Sequence, residues 1–402
     1  MTITKIADGH VTLPKGFLAG AVSAGIKTRV GALDLCLLLS ERECTAAGVF
    51  TRNLVKGAPV VLSAEHVADG KLRAIVANSG CSNSLNGPGG YEDATEMAQL
   101  AAMQMGLEAS EVAVCSTGVT GVRMPMEKVR SFLPSIAVSA DGGPALAEAI
   151  MTTDRRPKSV AVAVTTAAGR YTVAGCAKGS GMIHPNMGTM FCFVTTDADV
   201  DLTFLRALQQ EVADETLNMV SVDGDTSCSD TFLVLANGAA GLPRIETGTA
   251  DAEEFKQALL SVCTHLSREL AADGEGAKHL IEIAVTGAAS LEDARLVART
   301  VSTSPLVKTA VAGFDPNWGR ILVAAGRAGA ALEESRVSMR LQGELIYDRG
   351  KALPFDEAAM SKRLEEPEVR IDIDLGIGGG QATAWGCDLT TDYVHINADY
   401  RT

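Results

Sequence analysis

No CxxC pair, no HExxH or comparable histidine spacing, no basic stripe and no long apolar run occurs in these 402 residues, and each absence narrows what the chain can do. The nine cysteines are odd in number and scattered, which predicts reduced thiols in a cytoplasmic protein rather than a disulfide frame. The six histidines (His10, His66, His184, His265, His279 and His395) lack ligand spacing, so a metal site is not indicated. A formal net charge of −14 would repel a phosphate backbone, and nucleic acid is not an expected partner. The longest apolar runs, such as LCLLL at Leu35 to Leu39, fall far short of the roughly 20 residues that span a membrane. The opening MTITKIADGHVTLPKGF carries no continuous apolar core of a signal peptide.

What is present reads as a folded protein: 47% of residues are apolar and 21% charged, ordinary proportions that leave ample material for a core. The length favours two domains. Short β-like runs (LDLCLLLS, AAGVFT, APVVLS, LRAIVANSG) fill the first third, before a helical pattern with Met97, Leu100, Ala101 and Met105 on one face and Gly106 as its stop. EVAVCSTG predicts a strand, then a helix from about Met126, and SVAVAVTTAAGRYTVAGCAKGSG a hairpin turning at Ala168-Gly169. Beyond Thr189, MFCFVTTDA reads as a strand, the segment from Leu202 as a helix, Asp251 to Gly274 as a helix and Gly276 to Thr286 as a strand.

This mixture predicts a layered α/β fold, an αββα-type sandwich with mixed sheets. A smaller α+β C-terminal domain is expected to follow, with residues 1–285 forming the main domain and 286–402 the smaller one, whose tail returns to the main body. GIGGGQ, Gly376 to Gln381, fails as a dinucleotide loop because an alternating strand follows it, so its glycines are expected to close a hairpin. GCAKGSG lacks the Walker A spacing. No cofactor is therefore expected.

Three stretches could carry chemistry. At Gly188-Thr189 an unhindered glycine precedes a threonine, and a threonine released as an N-terminus could use its own α-amino group, of pKa about 7.7 to 8.0, as the base. Glycine leaves the carbonyl open to attack by the hydroxyl. On local sequence alone, a turn ending at Gly188 with a strand opening at Thr189 is the simpler reading. STGVTG, Ser116 to Gly121, ends a strand in a glycine-rich loop that could aim N–H groups at an oxyanion. MTTDRRPK and AKGSG offer Thr152 and Lys178 to a carboxylate, although a lysine is more often a solvated surface charge.

Taken together, PKGFLAGAVSAGIK, TAAGVFTRNLVKGAPV, STGVTG, MTTDRRPK, AKGSGMIHPNMGTM, SVDGDTS, DGEGA, SPLVKTAVAGFDPNWGRIL and DYVHINADYRT resemble the self-cleaving ornithine acetyltransferase family of arginine biosynthesis, nearly end to end. The resemblance implies cleavage between Gly188 and Thr189 into an α chain of residues 1–188 and a β chain of 189–402. Thr189 would be the nucleophile and Thr117 and Gly118 the oxyanion hole. Thr152, Lys178, Thr189, Glu275, Asn397 and Thr402 would bind substrate, with Thr153 competing for the role of its neighbour Thr152. The implied reaction passes acetyl from N2-acetylornithine to glutamate through an acetyl-threonine, admits acetyl-CoA as a second donor, and occurs in an assembly of two α and two β chains. Departures from the family pattern are Gly188 where alanine is commoner, Cys81-Ser82 where Asn-Ala is usual, and Cys228-Ser229 where Thr-Asn is usual. They leave room for a relative with another acyl group or amine, for an N-terminal-threonine hydrolase, or for a scaffold that has lost processing.

Overall fold

The computed structural model describes residues 2–184 and 190–399. Nine strands form the first sheet: β1 (Thr2–Ile6), β2 (Phe17–Val22), β3 (Leu35–Phe50), β4 (Lys71–Cys81), β5 (Val112–Val119), β6 (Lys158–Thr165), β7 (Arg170–Lys178), β8 (Phe191–Thr196) and β10 (Thr231–Ala236). The second sheet takes β9 (Val220–Ser221), β11 (Leu280–Ala288), β12 (Ser338–Leu341), β13 (Glu344–Asp348), β14 (Lys351–Ala352), β15 (Glu368–Asp374) and β16 (Gly380–Cys387). Both are mixed: β4 and β5, like β8 and β10, run parallel within a sheet whose other described pairs are antiparallel.

β3 is long enough to serve two layers. Its first half pairs with β2 and β4, while Thr45 to Phe50 pair with β10, across an irregularity between Leu39 and Cys44. What reads in sequence as two short runs is therefore one strand, and the exposed Glu41, Arg42 and Glu43 mark where it crosses from one layer to the next.

Period-two alternation then sorts side chains between layers. Cys36, Leu38, Ile75, Ala77, Ala113 and Cys115 face Phe191, Phe193, Leu233 and Leu235 in an inner core. The alternate residues Leu35, Leu37, Ala74, Val76, Val112 and Val114 pack instead on Ala94, Met97, Ala98 and Ala101 of helix α2 (Gly87–Met105). On the far side, Val160, Val162, Cys192, Val194, Phe232 and Val234 meet helices α5 (Leu202–Glu215) and α6 (Ala250–Ala272). Helix, sheet, sheet, helix is the predicted layering. Because both faces of these strands are covered, they are nearly continuous apolar runs.

The second sheet lies on the other side of α6, which touches β6 and β7 as well as β11 and β16. Helix α7 (Leu291–Ser302) covers that sheet with Ala294, Val297, Ala298 and Val301. Residue 285 falls inside β11, which pairs with β15 and β16. One apolar cluster runs from β6 through α6 to Cys387. The C-terminal helix α11 (Thr391–Asp399) returns to the loop at Glu275 and Gly276.

Two expectations of local structure are corrected. APVVLS is not a β-run but most of helix α1 (Ala58–His66), started by Pro59 in its first turn and held by Ser63 Oγ donating to the Val114 carbonyl at 2.7 Å. Nor does GIGGGQ close a hairpin: β11 lies between β15 and β16. The glycines serve a close crossing over the end of β11, where a Cβ on Gly378 would sit 2.6 Å from the Ala288 carbonyl oxygen and one on Gly380 2.2 Å from that of Ser290.

Phe193 is fully buried between the two layers, stacked on Phe191 with ring centroids 5.7 Å apart. Phe193→Ala should cost about 3–5 kcal/mol. A urea or guanidinium midpoint unchanged from the parent would contradict this account of the inner core.

Candidate active site

Lys178 ends β7 and is 7% exposed, yet its ammonium reaches a cavity and donates to Thr117 Oγ1 at 3.2 Å. Burial lowers the pKa of Lys178, and the facing Asp154 carboxylate opposes that shift. Thr117 and Gly118 close β5 beside Ser79 and Gly80 of β4. Gly118 has φ +124°, and a Cβ there would lie 2.4 Å from the Gly80 carbonyl carbon. Only glycine allows β5 to pass β4 so closely, which exposes the Thr117-Gly118 turn to the cavity.

The cavity measures about 270 Å³, close to the lower end of small-molecule pockets. It gathers Thr117, Gly118, Thr152, Lys178, Glu275 and Asn397 from five separate stretches of the chain. Thr153 lines it as well and shares a 2.6 Å hydrogen bond with Ser180, so the two threonines stay side by side as candidates. Asn397, on α11, donates to Glu275 Oε2 at 2.8 Å, while the Glu275 backbone N–H donates to the Ser180 carbonyl at 2.8 Å. The remaining predicted residues, Gly188, Thr189 and Thr402, lie outside the described residues. Met190, which follows Thr189 directly, is on the cavity wall.

Beneath the cavity is a buried ion network. Lys158 Nζ donates to Asp154 Oδ1 and to Asp273 Oδ2, both at 2.6 Å, with all three side chains no more than 1% exposed. Asp154 also accepts from the backbone N–H groups of Thr152, at 3.0 Å, and Gly179, at 2.7 Å. Asp273 accepts from the Arg155 guanidinium at 3.0 Å. Burial pushes the Asp154 carboxyl up, but Lys158 and Lys178 together outweigh it and hold the group at about 2.

Sequence reasoning passed over the acidic wall. Asp223, Asp225 and Asp230 line the cavity with Tyr393. Asp223 accepts from the backbone N–H of Met182 at 2.6 Å and of Ile183 at 2.9 Å. Burial, only partly offset by those hydrogen bonds, raises its pKa. The signal was three aspartates within eight residues of SVDGDTSCSD, a stretch used only for its resemblance. Of the departures from the family pattern, Ser82, Cys228 and Ser229 line the cavity, whereas Cys81 packs in the α2 core. Cys228 is also the most accessible of the nine thiols, the other eight being buried. Among the described residues no cluster of three or more His, Cys, Asp or Glu side chains is placed to hold a metal ion, and no helix is long and apolar enough to cross a membrane.

A sequence model described as the ArgJ family matches residues 18–402. The chain belongs to that family. It is 48% identical over 402 residues to the arginine biosynthesis bifunctional protein ArgJ of Dehalococcoides mccartyi, covering 100% of this chain and 99% of that one. It is 50% identical over 397 residues to the protein of the same name from Symbiobacterium thermophilum, covering 98% and 99%. A crystal structure of arginine biosynthesis bifunctional protein ArgJ from Bacillus halodurans superposes with a TM-score of 0.52 at 41% identity, covering 53% of this chain and 100% of that chain.

Removing one partner of the buried network leaves the others uncompensated, so Lys158→Met should cost about 3–5 kcal/mol. The folded pKa of Asp154 lies below its unfolded value. Its ionised form therefore contributes stability that is fully present above about pH 4 and is lost as the pH falls towards about 2. Denaturation midpoints between pH 6 and pH 2.5 should fall more steeply for the parent than for Asp154→Asn; parallel slopes would remove Asp154 from the acid response.

Proposed function

We propose that the chain cuts itself between Gly188 and Thr189 and then acts as an acetyltransferase, moving acetyl from N2-acetylornithine to glutamate on the freed threonine. The supporting observation is that Thr117, Gly118, Thr152, Lys178, Glu275 and Asn397, remote in sequence, meet in one cavity whose wall includes Met190, the residue after Thr189. The size of the solved relative agrees with a cut: its whole chain matches 53% of this one, and residues 189–402 are about 53% of the sequence.

Cleavage begins when the Thr189 hydroxyl adds to the Gly188 carbonyl. The peptide nitrogen leaves as the new amine, and water hydrolyses the ester. In turnover the free α-amino group takes the proton from the Thr189 hydroxyl as its oxygen attacks the acetyl carbonyl of acetylornithine. The oxyanion is held at Thr117 and Gly118, and Lys178, hydrogen-bonded to Thr117, adds positive charge there. Ornithine departs with a proton on its amine, leaving acetyl as an ester on Thr189. Glutamate enters the same cavity, its amine attacks the ester, and N-acetylglutamate leaves. Acetyl passes from amide to ester to amide, so the cycle balances without a further group.

A cavity with one ammonium, Lys178, and the Glu275 carboxylate complements the two charges of an amino acid. In this reading Lys178 meets the α-carboxylate common to ornithine and glutamate. Acetyl-CoA as a second donor would charge the same threonine and account for a bifunctional enzyme. Two α and two β chains in the cytoplasm complete the reading.

Intact-mass measurement of the denatured protein should give two species, one beginning at Thr189. Thr189→Ala should remain a single chain without transfer. If it is still cut at that bond and turns over, the nucleophile is another group. Lys178→Ala should raise KM for both amino-acid substrates about tenfold to a hundredfold, as expected for a lost charged hydrogen bond; unaltered saturation would take lysine out of recognition. Acetate released without N-acetylglutamate would mark a hydrolase instead.

A further inference from the structure

Met182 has no part in the cycle above, yet its backbone is held in an unusual conformation on the cavity wall. Its φ is +54°, in the left-handed region that bulky side chains rarely adopt, and the residue is 40% exposed where it lines the cavity. The other described methionine of the wall, Met190, is 4% exposed, and Phe191 is 1% exposed. Of these three apolar side chains, Met182 is the one open to an occupant.

The conformation has identifiable causes. Asp223 accepts from the backbone N–H of Met182 at 2.6 Å and from that of Ile183 at 2.9 Å, and successive N–H groups beside a left-handed residue converge on an anion in this way. Ile183 is fully buried, bridges to Thr226, and accepts at its carbonyl from the Val222 N–H at 2.6 Å. On the other side of Met182, a Cβ on Gly181 would lie 2.4 Å from the Glu275 carboxyl, so the chain passes that group with no room for a side chain. Met182 is thus gripped between Glu275 and Asp223. Backbone strain of this kind persists only where the surroundings over-determine it. Glycine would adopt the same backbone without strain, so what the strain secures is the place of the methionine side chain.

We propose that Met182 is a specificity-determining residue whose thioether chain lies along the unbranched methylene side chain of the amino-acid substrate, with Asp223 as the residue that positions it. The inference rests on the reading of this cavity as one that holds N-acetylated amino acids. Ornithine and glutamate differ in the charge that ends the side chain but share a run of methylene groups. The hydroxyl, thiol and carboxyl groups that make up most of the wall cannot match such a run. A methionine can, because it is unbranched, polarisable and able to adapt to chains of different length. The contact favours a straight side chain over a truncated one and is indifferent to the terminal charge, as a site that takes both amino acids requires.

The test uses donors with uncharged side chains, so that the carboxyl groups of the wall do not enter. It compares kcat/KM for N-acetylnorvaline with that for N-acetylalanine in the parent, Met182→Ala, Met182→Gly and Asp223→Asn. Where these analogues turn over too slowly, their competitive inhibition of acetylornithine turnover gives the same ratio. The parent should prefer norvaline, and the preference should fall about tenfold in both Met182 variants, as expected when packing on methylene groups is lost. It should fall in Asp223→Asn as well. Met182→Gly takes up the native backbone freely and keeps the test available should Met182→Ala fail to fold. A parent that does not discriminate between the analogues overturns the proposal. So do Met182 variants in which both analogues lose equally, because a purely structural role would lower the two alike. An intact preference in Asp223→Asn overturns the positioning role of Asp223. A parent that moves no acetyl from acetylornithine would instead sink the reading of the cavity.

Discussion

Lys158 is the side chain on which the cavity depends. Its ammonium is enclosed by Asp154 and Asp273, and these two carboxylates reach three separate pieces of backbone: the Thr152 loop, the exit of β7 at Gly179 and the Arg155 N–H. Asp273 is itself the residue after α6, two positions before Glu275. A buried ion pair of this kind is weak evidence for stability, since taking the charges out of water offsets most of their attraction. Its value is geometric. The loop bearing Thr152 and Thr153, the strand end bearing Lys178 and the turn bearing Glu275 are fixed to one point, so residues about 120 positions apart share a cavity.

The same sheet explains how a chain could be cut in its middle without coming apart. β8 begins just after the proposed scissile bond and lies between β7, from the first piece, and β10, from the second, while β3 pairs with β10 on its other edge. The two pieces are interleaved, strand against strand, and share the apolar layers on both faces. Breaking one peptide bond removes none of those contacts. It does give the N-terminus of β8 the freedom to carry a charged amine, at a place where the wall is rich in carboxyl groups.

The layering was legible because alternation in β3, β4, β5, β8 and β10 is strict enough to assign each side chain to a core, and the hairpin at Gly169 and the stop at Gly106 follow from left-handed glycines. Where sequence reasoning failed, a tertiary constraint had overridden a local one. APVVLS has the β-branched composition of a strand, but its proline opens a helix that packs on β5. Gly376 to Gln381 has the composition of a tight turn, but β11 occupies the space where a hairpin partner would sit. The site divides in the same way. Thr117, Lys178 and Glu275 stand in ordered motifs that the resemblance picks out, whereas Asp223 accepts backbone N–H groups about 40 positions earlier in the chain and Asp230 lies beside Met190 across β8 and β10, pairings that local spacing does not reveal.

The polarity of the cavity bears on how one site could serve two amino acids of opposite side-chain charge. Asp223, Asp225, Asp230 and Glu275 face a single ammonium, that of Lys178, which by simple count would favour ornithine and repel glutamate. Burial changes the count. It raises the pKa of Asp223, whose oxygens accept backbone N–H groups from Met182 and Ile183, and that of Asp230, so the wall carries less negative charge than its composition suggests. Such carboxyl groups can answer the substrate: the approach of an ammonium favours their ionised form, and the approach of a second carboxylate favours their neutral, donating form. Ser82, Cys228 and Ser229, which stand along this wall where the family pattern has alanine, threonine and asparagine, present hydroxyl and thiol groups that can donate as well as accept. In the proposed cycle, a wall that adjusts its protonation to its occupant would be a physical means for one small cavity to take ornithine and glutamate in turn.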